Sequence, residues 1–209
     1  MDFIEKVTAF ITRYKNDEIE LLLCQHPNAG IQIPAGSVEM GEMKENALMR
    51  EVEEETGLAN LTIKKYLGYK ERIYPDNFFL LVEPTKIYAR PDPASFSWAE
   101  LRKKVIVQVH RKQYNFAQIT FNEENKYPNP EYITFSVTGW IPSKLLYKKQ
   151  RRHFFHVIVN EATPDEWEVV AEPAMNLTFR LFWVPIDAVP KIVDPQDQWL
   201  EYIRCELGY

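Results

Sequence analysis

Cysteine is nearly absent: the chain of 209 residues holds two, Cys24 and Cys205, far apart in sequence. Two such thiols give neither a disulfide framework nor the paired spacing of a zinc site. Both are expected as buried, unpaired side chains. Long apolar runs are also missing, so no helix that crosses a membrane is expected. The N-terminus, Met-Asp-Phe-Ile-Glu-Lys, has no basic start and no long apolar stretch. A signal peptide is therefore not expected, and the cytoplasm is the expected compartment. Positive charge is not in excess: 25 Lys and Arg stand against 30 Asp and Glu, for a net charge of −5. That argues against a nucleic-acid partner, which normally meets a basic face. It leaves room for a small anionic substrate, because a bound metal ion supplies local positive charge. What is present is 45% hydrophobic residues, with 5 Trp, 11 Tyr and 12 Phe. The length fits one large domain, or one domain with an insertion.

The most informative stretch is 36–58, Gly-Ser-Val-Glu-Met-Gly-Glu-Met-Lys-Glu-Asn-Ala-Leu-Met-Arg-Glu-Val-Glu-Glu-Glu-Thr-Gly-Leu. Ala, Leu, Met, Lys and Glu dominate 43–56, which predicts a helix. Leu48, Met49 and Val52 fall on one side of it and should face the core. Glu51, Glu54 and Glu55 stand at i, i+3 and i+4 on a neighbouring face, where like charges repel by some tenths of a kcal/mol per pair. A hard cation such as Mg2+ or Mn2+ reverses that cost, since it prefers carboxylate oxygens. Arg50 can pair with Glu42 or a neighbouring carboxylate and fix the cluster. Gly57 stands where a C-terminal cap belongs. A solvated acidic helix is the plain alternative for three glutamates alone. The flanking Gly36, Glu42, Gly57 and Leu58 weigh against it.

With Gly36, Glu42, Arg50, Glu51, Val52, Glu54, Glu55, Gly57 and Leu58 all in place, the stretch resembles a complete Nudix box. The resemblance implies an α/β Nudix fold, a mixed β-sheet sandwiched between helices. It implies hydrolysis of a nucleoside diphosphate linked to another moiety (NDP-X), with water attacking phosphorus. Mg2+ or Mn2+ is the implied cofactor, held by Glu51, Glu54, Glu55 and the carbonyl of Gly36. Glu54, Glu51, Arg50 and Glu42 are the implied catalytic group, with Glu42 and Arg50 organising the ligands. The alternative is a catalytically inactive Nudix module that binds a nucleotide or a protein partner. A small-molecule nucleotide is the expected partner and a membrane is not. The oligomeric state is left open, a homodimer included, and no base-binding residue is assigned.

Along the chain, 6–14 and 19–24 read as a hairpin turned at Lys15-Asn16-Asp17-Glu18. After the helix, strands are expected at 61–69, 78–82 and 86–89. Ser95 or Ser97 can cap a short helix at 98–104. Strands are expected at 105–110, 115–121 and 131–140, with 122–130 as the longest loop. The chain thus reads as a single domain over 1–209, with a β-rich insertion at about 76–150. Further strands are expected at 153–160 and 177–184, and Pro195 opens a last helix. Glu161, Glu166, Glu168 and Glu172 fall in the loop between those two strands, where many Nudix enzymes carry an extra glutamate. Which of them matches, if any, is not decided by the sequence. His153 and His156 on one strand point to opposite faces and cannot easily share an ion. Lys148, Lys149, Arg151 and Arg152 read as a solvated basic turn rather than a polyphosphate site.

Overall fold

The computed structural model describes residues 3–27, 29–126, 130–172 and 177–209, the side chains of 171 and 172 excepted. The elements in order are β1 (Phe3–Lys15), β2 (Glu18–His26), β3 (Gly30–Gln32), β4 (Ala35–Ser37), α1 (Lys44–Thr56), β5 (Leu61–Ile73), β6 (Phe78–Leu81), β7 (Thr85–Tyr88), β8 (Ser97–Leu101), β9 (Ile106–Gln113), β10 (Phe116–Glu124), β11 (Ile133–Pro142), β12 (Leu146–Tyr147), β13 (Lys149–Val159), β14 (Glu166–Glu172), β15 (Leu177–Pro185) and α2 (Leu200–Leu207). They form two compact units: 5–70 with 151–209, and 1–4 with 71–150.

The first unit is built on a sheet ordered β14-β15-β2-β1-β13-β5, with β3 beside β2 and β4 beside β1. Its opening hairpin turns through Asn16 and Asp17, both at positive φ (52° and 65°), between the antiparallel pair Lys15 and Glu18. Asn and Asp tolerate that left-handed conformation better than other side chains, and it matches the strand twist. Alternation along β1 sends Val7, Ala9 and Ile11 to one face and Phe10 to the other. The first face joins Leu22, Cys24, Phe155 and Val157 with Ala47, Leu48 and Val52 of α1. The second packs Phe10, Leu21, Leu23 and Phe154 against Trp199, Leu200 and Ile203 at α2. The sheet is therefore sandwiched between helices. Each fully buried Leu or Phe here contributes about 1.5–3 kcal/mol.

Residues 71–150 carry a second sheet, ordered β12-β6-β9-β10-β11-β7-β8. Its core is Leu81, Ile87, Leu101, Val107, Ile119 and Ile141 with their neighbours.

Four expectations about elements and burial fail. The helix expected at 98–104 is instead strand β8, paired with β7 from Thr85 opposite Leu101 to Tyr88 opposite Ser97. Leu101 is buried and Trp98 exposed, a period of two that an edge strand satisfies and a helix does not. The loop expected from 122 begins later, because β10 holds its pairing with β11 out to Glu124. Glu166, Glu168 and Glu172 are not in a loop but on β14, which pairs with β15. Cys205 is exposed on α2, whereas Cys24 is buried as expected. No helix among the described residues is long and apolar enough to cross a membrane.

Candidate active site

The site is assembled by α1 and the short strand β4. Helix α1 buries Ala47, Leu48, Val52 and Thr56 and ends at Gly57, whose φ of 73° is left-handed and whose N–H donates to the Glu53 carbonyl. Beneath it, β4 pairs with β1, with Val7 opposite Gly36 and Thr8 opposite Ala35. That pairing presents the backbone of 35–37 to the acidic face of the helix.

Three contacts join the two. The Ser37 N–H donates to Glu51 Oε1 at 2.9 Å. The Ala35 N–H donates to Glu55 Oε2 at 2.9 Å. Between them, Glu51 lies directly against the α-carbon of Gly36. A Cβ on Gly36 would stand 1.8 Å from Glu51 Cδ and 2.1 Å from Oε2. The glycine is thus required by a close approach, not by its backbone angles.

Arg50 ties the cluster together. Its Nε and Nη2 donate to the two oxygens of Glu42 at 3.0 and 2.9 Å, and Nη2 also donates to the Ser37 carbonyl at 2.9 Å. Nη1 donates to Glu51 Oε1 at 3.0 Å and lies 3.4 Å from Glu54 Oε2. Glu42 in turn accepts the Glu39 N–H. Hydrogen bonding to Arg50 holds the Glu42 carboxyl below its usual range. Glu42, followed by Glu51, raises the Arg50 guanidinium further above its already high value. Burial, and then the Glu55 charge, pushes the Cys24 thiol up beneath the helix.

Glu42, Arg50, Glu51, Glu54, Glu55 and Gly36 are therefore neighbours. Glu54 is more open than its neighbours, its side chain 55% exposed against 17% for Glu51 and 18% for Glu42. In this arrangement Glu51 and Glu54 turn toward Arg50 and Glu55 toward Ala35. Among the described residues no three His, Cys, Asp or Glu side chains converge on a point that a cation would fill. The donor set still suits a hard cation: all oxygen, with three carboxylates on one helical face and one of them exposed.

The other candidates separate. Glu161 accepts the Asn60 N–H at 3.2 Å and lines a cleft of about 280 Å3 with Gly57, Leu58 and Trp167, at the C-terminal end of α1. Trp167 donates its indole N–H to the Thr56 carbonyl. Glu166 and Glu168 alternate along β14 with Trp167 and Val169, which pack toward α1, and Glu166 pairs with Arg180. They therefore lie on the far side of that strand. The side chain of Glu172 is outside the described residues. His153 bonds Glu5 and Tyr66, whereas His156 bonds Thr12, so the two imidazoles do separate to different partners. In the basic run, Lys148 pairs with Asp76, Arg151 with Glu5, and Arg152 donates to Thr8. Lys148 thus keeps a surface ion pair at the bend before β13, whereas Lys149, Arg151 and Arg152 lie on that strand rather than in a solvated turn.

Sequence reasoning missed Lys6, a buried lysine whose Nζ donates to Ser37 Oγ at 2.6 Å. It also missed the backbone donors of Ala35, Ser37 and Glu39. No side-chain pattern announces a backbone donor; the pairing of β4 with β1 creates two of them.

A folded chain with an acidic helix seated on a glycine strand through an arginine clamp defines a class, and comparison with known proteins gives it a name. The profile of the NUDIX domain family matches residues 4–112, more than half of the chain. The chain belongs to that family. It is 41% identical over 63 residues to a Bacillus subtilis (strain 168) protein named "Putative 8-oxo-dGTP diphosphatase YtkD". That match spans 28% of this chain and 39% of the relative's length. Among solved structures, a binary complex of the C. elegans Ap4A hydrolase superposes with a TM-score of 0.50 at 16% identity, covering 98% of each chain. The NUDIX domain of Shewanella oneidensis NrtR, complexed with ADP ribose, gives 0.50 at 12% identity, covering 99% of this chain and 90% of that one. At these identities the likeness establishes the shared fold.

Proposed function

We propose that this chain is a metal-dependent pyrophosphohydrolase that cleaves NDP-X, with 1–209 acting as one Nudix domain and about 76–150 inserted into it. The observation that carries the reading is the seating of Glu51 on Gly36, locked by the Ser37 N–H and Arg50. That contact uses the glycine, the arginine and the helix glutamates of the box together. Family membership and the named diphosphatase relative support it.

Glu51, Glu54, Glu55 and the Gly36 carbonyl are the groups that would hold Mg2+ or Mn2+. When bound, such an ion supplies positive charge opposite the diphosphate and makes water more acidic. The chain's own groups do the rest. Ser37 and Arg50 fix Glu51, so that it does not have to be reorganised when substrate arrives. Glu42 holds Arg50 at two points and so fixes its direction toward Glu51. Glu54, open to solvent, takes the proton of the attacking water. The water oxygen bonds to phosphorus, the bridging P–O bond breaks, and the departing phosphate keeps the electron pair.

The test is release of product from a panel of NDP-X compounds with Mg2+ or Mn2+, for wild type and Glu54→Gln. The variant is expected to lose at least about a hundredfold in kcat while its metal-free melting temperature is unchanged or slightly higher, since one like charge has gone. Equal turnover by both would refute the assignment. Nucleotide binding by wild type without turnover of any panel member would make the chain a binding module instead.

A further inference from the structure

A second cluster lies beside the box, on β5, β13, β1 and the first residue of α1. Tyr66 and Tyr69 are exposed to 40% and 52%, although tyrosine rings this close to a core usually bury most of their area. Position along β5 explains how they come to share a face with α1. Leu61 and Ile63 pack toward α1, but Leu67 packs toward α2 and Lys65 reaches Glu206 there. The two-residue alternation therefore slips between 63 and 65, so that Tyr66 emerges on the α1 side, and Gly68, at a φ of 105°, interrupts it again before Tyr69, whose ring meets the same His153. The Tyr66 ring meets Phe155, a member of the α1-side core, with centroids 5.1 Å apart.

The rings are held from behind by a directed chain of hydrogen bonds. His153 Nε2 lies 2.6 Å from Glu5 Oε2, and the Tyr66 hydroxyl lies 2.8 Å from His153 Nδ1. A carboxylate only accepts, so Nε2–H donates to Glu5. In a neutral imidazole Nδ1 then accepts from the Tyr66 O–H. His153 itself is buried and touches both tyrosine rings, at 5.8 and 6.0 Å between centroids. A cation lies over each ring. Lys44 Nζ lies 4.6 Å from the centre of the Tyr66 ring, and the Arg151 guanidinium carbon 4.8 Å from that of Tyr69. The shelf is continuous with the box: the Glu5 carbonyl accepts the Val38 N–H at 3.0 Å, and Ser37, one residue earlier, anchors Glu51.

A pair of exposed aromatic rings, each with a cation over one face, suits a ligand that is planar and aromatic at one end and anionic at the other. We propose that Tyr66 and Tyr69 stack the nucleobase of a nucleoside diphosphate, with Lys44 and Arg151 meeting its phosphates, as the specificity surface of this enzyme. The assignment rests on the reading of the site given above. The Tyr66–His153–Glu5 chain is its positioning device, because it fixes the ring through its hydroxyl.

Binding calorimetry on the full chain in the Glu54→Gln background, with Mg2+, tests this with ADP, GDP, CDP and UDP as probes and inorganic pyrophosphate as control. Tyr69→Ala is expected to weaken the preferred nucleoside diphosphate by about 5–100-fold, the usual worth of one base stacked on an aromatic ring. Pyrophosphate affinity should stay within about twofold of the parent, since it has no base to stack. Tyr69→Phe keeps the ring and should bind like the parent, which guards against a folding defect in the alanine variant. Arg151→Ala should weaken nucleotide and pyrophosphate alike. Unchanged nucleotide affinity in Tyr69→Ala, or no binding of any of the four nucleotides to the parent at millimolar concentration, overturns the shelf. The two readings fail separately. Turnover by wild type with the same KM in Tyr69→Ala sinks the shelf alone. Base-dependent binding lost in Tyr69→Ala, with no turnover by wild type, sinks hydrolysis alone.

Discussion

Replacing Gly36 by alanine adds one methyl group at the tightest point of the site. The new Cβ would stand 1.8 Å from Glu51 Cδ and 2.2 Å from Cγ, so the glutamate must leave its seat. Gly36 is not among the residues at positive φ, so alanine meets no backbone penalty. By itself that favours the variant by about 0.4–1 kcal/mol through the unfolded chain. Against this, displacing Glu51 strips the Ser37 N–H of its 2.9 Å acceptor and removes one partner of Arg50. A buried donor left without a partner costs about 1–3 kcal/mol, an upper bound for the half-buried Ser37 N–H. The net is a loss of roughly 0–2.5 kcal/mol. For a chain of this size each kcal/mol moves the melting temperature by about 2–4 °C. Activity should fall far more than stability, by about a hundredfold or more, because an electrostatic group leaves its place. A double-mutant cycle isolates the cause. In a Glu51→Ala background the methyl group has nothing to strike, so Gly36→Ala should be neutral or slightly stabilising by thermal melt. The difference between the two backgrounds, about 1–3 kcal/mol, is the coupling of Gly36 to Glu51. Equal effects of Gly36→Ala in both backgrounds would refute the close-approach argument.

Two further outcomes follow from the charges. Arg50→Lys replaces a two-point hold on Glu42 with one point; the Glu42 carboxyl should climb back toward 4.5 in a carbon-detected NMR titration, and activity should drop about 10–100-fold, whereas an unmoved titration would show that Arg50 does not set it. His156 is buried, with Nε2 bonded to Thr12 and Nδ1 without a hydrogen-bond partner among the described residues. Burial, and then Lys64, holds its pKa below 6.5. Below that pH the unfolded chain binds a proton that the folded chain refuses, so this contribution to stability is complete above about pH 6.5 and is lost as pH falls through the folded value. Urea melts from pH 8 to 5 should show the decline in wild type and a shallower one in His156→Leu; an imidazole that titrates at or above 6.5 by NMR would contradict this.

What the sequence determined by itself is what short-range physics controls. The run 44–56 is helical because its residues favour a helix, and it ends at Gly57 because the left-handed cap suits glycine. The hairpin at Asn16-Asp17 has the same local origin. Spacing at i, i+3 and i+4 put Glu51, Glu54 and Glu55 on one face, and the sandwich of helices on a sheet followed from the box as a whole. Tertiary structure decided everything that depends on which strand lies beside which. Gly36 meets Glu51 across 15 positions of sequence only because β4 pairs with β1 under the helix. Trp98 looked like part of a capped helix until pairing with β7 drew its segment into a sheet edge. Glu166 and Glu168 looked like loop acids until β14 paired with β15 and turned them away from α1. His153 was one of an ambiguous pair of histidines; a slip in the alternation of β5, not readable in the residues themselves, brought Tyr66 to it. Propensity and periodicity act over a few residues and can be read from them. Register between distant strands is set by the summed burial of whole faces, and no local pattern carries that sum.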